Sequence, residues 1–145
     1  MRQIELHLGT PVHGWLELEL SGPERSCVIC ASDVPGDSLL ALACSACALV
    51  EGYPAGEVTW FLEPTELTWT FRLLGDEVRV MESIDGVNFK KIAVGTPAAV
   101  ALTIWRALRR LEANPVWAHV DSERVWSHSF PHKETAQLGH KLGRG

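Results

Sequence analysis

The sequence has no surplus of positive charge. Its 145 residues contain 13 Lys and Arg against 18 Asp and Glu, which gives a formal net charge of −5 at pH 7. A nucleic-acid-binding protein needs a basic face that displaces counterions from phosphates. The charge balance therefore argues against a nucleic-acid partner and favours a protein whose partner, if charged, is basic.

Long apolar stretches are also missing. The longest run, Leu39–Val50, is twelve residues long and includes Ser45, whereas a membrane-spanning helix needs about 20 apolar residues. Residues 1–20 alternate apolar and charged side chains and lack the apolar segment of a secretory signal. We therefore expect a cytoplasmic protein with reduced thiols and no membrane partner.

Common catalytic motifs do not occur in the chain. It has no Gly-x-Gly-x-x-Gly, no P-loop, no Gly-x-Ser-x-Gly and no His-Glu-x-x-His. The sequence therefore predicts no catalytic residue and no cofactor, and a binding protein becomes the default hypothesis. Glu63 and Glu66 flank a turn and could form an acid/base pair, but carboxylates at turns are usually just solvated.

What the chain does contain is a clear series of strand patterns. Apolar and polar residues alternate over short segments that are separated by Gly, Pro and Asp. The predicted strands cover residues 4–8, 14–20, 26–32, 57–63, 66–74, 77–84 and 87–94. The third of these, Ser-Cys-Val-Ile-Cys-Ala-Ser, is apolar at successive positions, which is typical of a strand covered on both faces.

Two helices accompany the strands. The first is capped by Asp37 or Ser38 and runs to about Val50, and the second lies within residues 96–115. The order β-β-β-α-β-β-β-β-α predicts an α+β fold, in which an antiparallel sheet of six to seven strands carries two main helices on one face.

The C-terminal region is harder to interpret. Residues 116–120 and 124–130 could be short strands, and residues 131–145 have the composition of a frayed tail. We therefore assign residues 1–130 to a single α+β domain and residues 131–145 to a C-terminal tail that is expected to be flexible.

The four cysteines form two Cys-x-x-Cys pairs, Cys27/Cys30 and Cys44/Cys47. This spacing is used by four-cysteine zinc sites. However, Val28 and Ile29 favour an extended strand, on which residues three apart point to opposite faces. The second pair shares one helix face with Leu40 and would supply half a site. We therefore predict no metal and interpret the thiols as small apolar groups in the core.

A metal site that borrows histidines is the alternative. Its candidate ligands are Cys44, Cys47, His128 and His132, with His119 and Asp121 close in sequence. No helix or strand period places three of these groups on one face, so surface histidines are the simpler interpretation.

The outward face of the predicted sheet carries the sharper functional signal. If the alternating leucines and tryptophans face the helices, the opposite face presents acidic groups among aromatic residues and Met. The predicted partner-binding residues are Trp15, Glu17, Glu19, Phe61, Glu63 and Met81. Acidic surfaces speed the capture of a basic partner. The alternative is that Trp15 and Phe61 lie under a loop or under the C-terminal tail.

Residues 31–80 resemble a small bacterial family of α+β proteins. Its pattern is a strand, a Val-Pro-x-Asp-Ser helix start and a Trp-x-x-Glu-Pro hairpin. The matching residues here are Val34, Pro35, Asp37, Ser38, Trp60, Glu63 and Pro64. Such proteins resemble the immunity proteins of bacterial toxin systems, and the resemblance implies protein binding without catalytic residues.

The sequence thus predicts a non-enzymatic protein-binding domain, monomeric or homodimeric, of which an immunity protein that neutralises a cognate toxin is one example. The first alternative is a small-ligand or metal-dependent enzyme that uses the C-terminal histidines. The second is a chaperone for a secreted protein, which would need a dimer with exposed apolar grooves.

Overall fold

The structure is a computed structural model that describes residues 4–22, 26–118 and 125–144. Its strands are β1 (Glu5–Leu8), β2 (Trp15–Ser21), β3 (Ser26–Ser32), β4 (Ala55–Phe61), β5 (Glu66–Leu74), β6 (Glu77–Ile84) and β7 (Val87–Gly95). Its α-helices are α1 (Ser38–Val50), α2 (Pro97–Glu112) and α3 (His132–Lys141), and a 3-10 helix covers Pro115–Ala118. None of the helices in these ranges is long and apolar enough to cross a membrane.

The strands form one antiparallel sheet in which spatial order follows chain order, from β1 to β7. From β4 to β7 tight hairpins produce this order because each of them brings consecutive strands together, whereas β3 and β4 are joined through α1. The turn between β6 and β7, for example, consists of Asp85 and Gly86, whose φ angles are +49° and +79°. With helices following β3 and β7, the predicted α+β fold and its element order up to α2 are confirmed.

The inner face of the sheet is apolar because alternate residues of each strand point towards it. The residues buried there include Leu16, Leu18, Val58, Trp60, Trp69, Phe71, Val78 and Val80. Helices α1 and α2 contribute much of the remaining core, and each begins at a side-chain cap. The carboxylate of Asp37 accepts a hydrogen bond from the amide of Leu40, and the hydroxyl of Thr96 accepts one from Ala99, both at 3.1 Å.

The sheet is nearly interrupted between β3 and β4. Among the described residues, Ser32 and Phe61 form the only pair there, whereas β2 and β3 pair along their whole length. Helix α1 covers the edge of β4 that β3 leaves open. The hydroxyl of Ser38 donates a hydrogen bond to the carbonyl of Thr59 (2.6 Å), and Ser45 donates one to a carbonyl further along β4.

The C-terminal region differs from the prediction. Residues 115–118 form a 3-10 helix where a strand was predicted to begin, and residues 125–131 contain no regular element. Residues 119, 120 and 124 of the two predicted strands lie outside the described residues. The predicted tail contains α3, which packs on α1 and α2.

Helix α3 is held by its apolar side and by its ends. The side chain of Leu138 is fully buried. At the first turn, His132 Nδ1 lies 2.6 Å from Glu112 Oε2 on α2, and at the last turn Lys141 pairs with Glu51 at the end of α1. The description of this segment as a frayed tail is therefore wrong for residues 132–141.

Candidate protein-binding surface

The first three strands present one continuous surface to the outside. In β2, the exposed residues Trp15, Glu17 and Glu19 alternate with buried leucines. The register of the sheet places Cys30 beside Glu17 and Val28 beside Glu19. Val28 is 59% exposed and Trp15 is 38% exposed. We call these five residues the acidic face.

Basic side chains lie near one end of the acidic face, where Arg106 and Arg110 of α2 line a cavity with Glu19, but they form no ion pair with its glutamates. Neither Glu17 nor Glu19 belongs to any ion pair formed within the described ranges. The polar contact of Glu19 is with the hydroxyl of Ser26, which donates to Oε2 at 2.9 Å. Glu5, on the neighbouring strand β1, is also exposed. Unpaired carboxylates on one side of a sheet produce a negative potential that attracts a basic partner.

Phe61 and Glu63 lie at the end of β4, next to the junction with β3. Phe61 is half-buried because the loop before α1 lies against it: a Cβ atom added to Gly36 would be 3.0 Å from the ring. Glu63 is exposed in the turn that follows, with a φ angle of +48°. The interpretation that a loop covers the aromatic rings thus applies in part to Phe61, while Trp15 stays exposed.

Met81 lies in a separate groove of the outer face. The groove has a volume of about 400 Å³ and is lined by Met81, Arg72, Leu74, Arg79 and Phe89. Arg72 and Arg79 are direct cross-strand neighbours on β5 and β6, so the groove is basic where the acidic face is negative. The six predicted partner-binding residues therefore do not form a single surface.

The first cysteine pair diverges, as the strand interpretation predicts. The Sγ of Cys27 points inward and donates a hydrogen bond to Glu82 Oε1 at 3.0 Å. Cys30 is exposed on the acidic face. The outer side of β3 is thus open, and the prediction that this strand is covered on both faces is wrong.

The second cysteine pair lies on α1, but not on its buried side. The buried residues of α1 are Ser38, Leu39, Leu42, Ala43, Ser45, Ala46 and Leu49. Cys44 is exposed, and Cys47 is half-buried, with its Sγ 3.8 Å from the carbonyl oxygen of Glu134 on α3. The prediction that the thiols fill the core is therefore wrong for Cys30 and Cys44.

The histidines proposed as metal ligands have other partners. His128 Nε2 lies 2.8 Å from the carbonyl oxygen of Asp33, and His132 contacts Glu112. In the part of the chain that the structure describes, no three His, Cys, Asp or Glu side chains are arranged to hold a metal ion. His119 and Asp121 lie outside the described residues.

The α1 thiols should titrate at higher pH in the folded protein than in the unfolded chain. Partial loss of contact with water raises the pKa of Cys44, with Glu134 and Asp37 adding to the effect, and burial raises the pKa of Cys47, although Lys141 opposes it. The thiolate is the form that iodoacetamide alkylates. We therefore expect the pH–rate profile of alkylation at both sites to shift to higher pH in the folded state.

Mass spectrometry of alkylated peptides, with and without urea, measures the two profiles separately. Because both pKa values are higher in the folded protein, the protonated thiols add to the free energy of unfolding. This contribution is complete below the pKa of the unfolded chain and is lost as the pH rises through the raised pKa. Coincident profiles in the two states would contradict the assigned environment.

A buried carboxylate is the polar feature that the sequence analysis missed. Glu82 of β6 is 3% exposed, and its Oε1 accepts hydrogen bonds from Trp69 Nε1 (3.2 Å) and Cys27 Sγ (3.0 Å). Lys90 Nζ lies 3.8 Å from Oε2. A buried charge needs such partners because it has lost its water. The available signal was the alternation of β6, in which Glu82 occupies an inward position after Val80.

No protein-family model matches the chain, and no curated protein and no solved structure shows significant similarity to it. The resemblance of residues 31–80 to immunity proteins thus stays a prediction from local sequence pattern. The function has to be inferred from the chemistry of the surface.

Proposed function

We propose that this chain is a cytoplasmic protein-binding domain that captures a basic partner through the acidic face. The observation that carries the proposal is the juxtaposition of unpaired glutamates with exposed apolar side chains on one side of the sheet. Glu17 and Glu19 supply a field that accelerates association. Trp15 and Val28 supply apolar area that a partner can bury.

Composition distinguishes this surface from an ordinary solvated sheet. The outer side of β2 is mostly charged, but β3 presents Val28 and Cys30 at the adjacent outward positions. A single exposed apolar residue is common on protein surfaces and needs no explanation. A patch in which Trp15 and Val28 border two carboxylates has the mixed character of an interface.

Within this class of function, we favour an immunity protein that inhibits a toxin. A toxin that acts on nucleic acid must itself be basic in order to bind phosphates. An acidic inhibitor can occupy such a phosphate-binding surface because it presents the same sign of charge as the substrate. The resemblance of residues 31–80 to immunity proteins points to the same role.

Charge reversal on the acidic face tests the proposal. Wild-type protein is immobilised, proteins that bind it are identified by mass spectrometry, and the basic candidate is purified for surface plasmon resonance. We expect the double variant Glu17→Lys/Glu19→Lys to weaken binding of that partner by at least about tenfold. Most of the loss should appear as slower association, and the association rate should depend less on salt.

Asp76→Lys is the matched control because Asp76 is an exposed acid in the turn between β5 and β6. A loss of the same size in this variant would mean that net charge, and not the acidic face, governs binding. If the double variant keeps a native circular dichroism spectrum and full affinity, the interface lies elsewhere.

A further inference from the structure

The direction of the backbone groups in β3 follows from the register of the sheet. Successive residues of an antiparallel strand point their N–H and C=O groups to opposite neighbours. The amide of Gly9 donates to the carbonyl of Glu17 at 2.8 Å, so Glu17 faces β1 and Leu18 faces β3. Because Leu18 lies opposite Ile29, the backbone of Ile29 faces β2, and the residues on either side of it face away from β2.

Those two residues are Val28 and Cys30. In the described part of the chain, their N–H and C=O groups have no hydrogen-bond partner, because β4 meets β3 only at Ser32. Their side chains are exposed on the acidic face. Within the described ranges, the structure thus leaves a strand edge with free donors and acceptors directly beside the proposed interface.

Among the residues that the structure describes, features that oppose strand pairing occur at the other two edges of the sheet but not at this one. Strand β1 is short, and the hydroxyl of Thr103 on α2 donates to the carbonyl of Ile4 next to it at 3.1 Å. Strand β7 carries Lys91, and lysine is a common device against edge pairing. The end of β2 also lies against it, since a Cβ atom added to Gly22 would be 2.8 Å from the carbonyl oxygen of Ile92. Strand β3 runs for seven residues without a charge or a proline, and its Val and Ile favour extended structure.

We propose that β3 binds an extended segment of the partner by strand addition, and that the segment alternates basic and apolar residues. The inward side chains of an added strand would lie beside Ile29 at the margin of the core and should be apolar. Its outward side chains would lie beside Val28 and Cys30, from which Lys or Arg can reach Glu17 and Glu19 on the next strand. This inference rests on the proposed function and specifies how the partner is recognised.

A second copy of this chain fits the edge less well than a basic segment. Pairing of β3 with β3 of another copy would place two acidic faces side by side on one sheet. Glu17 and Glu19 would lie about 14 Å from their equivalents, where their repulsion is weak, but β3 carries no charged residue and would bring them no cation. Charge complementarity therefore selects a basic partner over self-association.

A designed peptide provides the probe. Acetyl-Lys-Val-Lys-Val-Lys-Val-Lys-amide, labelled with fluorescein, is titrated with wild-type protein and followed by fluorescence anisotropy. The key variant is Val28→Pro, which removes an amide that faces the free edge and removes no hydrogen bond to β2. We expect its Kd for the peptide to rise by at least about tenfold, whereas the control Val28→Ile, which keeps both the amide and the apolar side chain, should change Kd by less than about threefold.

A peptide-side measurement removes any dependence on how the variant folds. The same peptide with N-methylated valines keeps its charge but cannot form the backbone ladder, so it should bind the wild-type protein at least about tenfold more weakly. Saturating unmodified peptide should also protect Cys30 from N-ethylmaleimide, because the added strand would lie against it. Peptide mass spectrometry distinguishes Cys30 from the other cysteines.

The outcomes separate the two proposals. Strand addition is overturned if the wild-type protein does not bind the peptide. It is also overturned if Val28→Pro binds the peptide as tightly as the wild type does and the wild type binds the N-methylated peptide as tightly as the unmodified one. If Glu17→Lys/Glu19→Lys weakens binding while these changes do not, the acidic face is the interface without strand addition. If only the backbone changes weaken binding, strand addition stands and the electrostatic part of the proposed function fails. A dimer in sedimentation velocity that Val28→Pro dissociates would assign the edge to a second copy and overturn the inference.

Discussion

Replacing Trp69 with alanine is expected to lower the free energy of unfolding by about 3–5 kcal/mol. Trp69 is 1% exposed, and its ring packs edge-on against that of Trp60, with the ring centroids 5.2 Å apart. The alanine variant would leave a cavity in the sheet interior and would remove the donor that Trp69 Nε1 provides to Glu82. Urea unfolding followed by far-UV circular dichroism measures the change.

Phenylalanine variants at the two tryptophans separate the hydrogen bond from the packing. Within the described residues, the buried Nε1 of Trp60 has no hydrogen-bond partner, so Trp60→Phe removes an unsatisfied donor as well as apolar contact. Trp69→Phe instead leaves a buried carboxylate with one donor fewer. We therefore expect Trp69→Phe to cost about 2 kcal/mol more than Trp60→Phe. Equal costs would show that the contact between Trp69 and Glu82 adds nothing to stability.

The same buried carboxylate helps to explain how β3 can leave one edge open and still be well placed. The inward Sγ of Cys27 donates to Glu82 on β6, and this contact ties the start of β3 to the far side of the sheet. Pairing with β2 holds the strand along its length. An edge that is ordered before binding loses less conformational entropy when a partner segment pairs with it.

Strand positions could be predicted closely from the sequence because the alternation of apolar and polar residues follows directly from strand geometry. The outward directions of Trp15, Glu17 and Glu19 follow from the same rule. The rule fails for β3, since a run of apolar residues looks the same whether both faces are buried or one face is exposed. Val28 and Cys30 could therefore be assigned to the acidic face only from their exposure in the structure.

The alternation of apolar and polar residues could not predict which outward residues are neighbours across the sheet. Alternation assigns Phe61 and Met81 to the outer face, but it does not specify which outward residues lie together. The interrupted ladder between β3 and β4 and the turn next to Phe61 decide that, and they place Met81 beside Arg72 and Arg79. Inter-strand distances depend on register and sheet curvature, which local periodicity does not encode.

Helix α3 was missed because its sequence carries weak local signals. It follows Pro131, which provides no side-chain cap, and its residues are largely polar. A short helix of this kind is unstable alone and needs tertiary contacts. Those contacts are close: a Cβ atom added to Gly139 would lie 2.6 Å from Trp105 Nε1 on α2.

Leu138→Ala tests whether α3 contributes to the core as the structure indicates. Leu138 is fully buried between α3 and the rest of the domain, so the variant should lose about 3 kcal/mol of unfolding free energy through lost burial and a residual cavity. Gln137→Ala is the matched control, because Gln137 is exposed on the same helix and its replacement should change stability by less than about 0.5 kcal/mol. Urea unfolding compares the two, and alkylation of Cys47 should accelerate in the Leu138 variant because α3 would then open more often over that thiol. Equal stability of the two variants, with unchanged alkylation of Cys47, would mean that α3 is not docked and that residues 132–141 behave as the tail that their composition suggests.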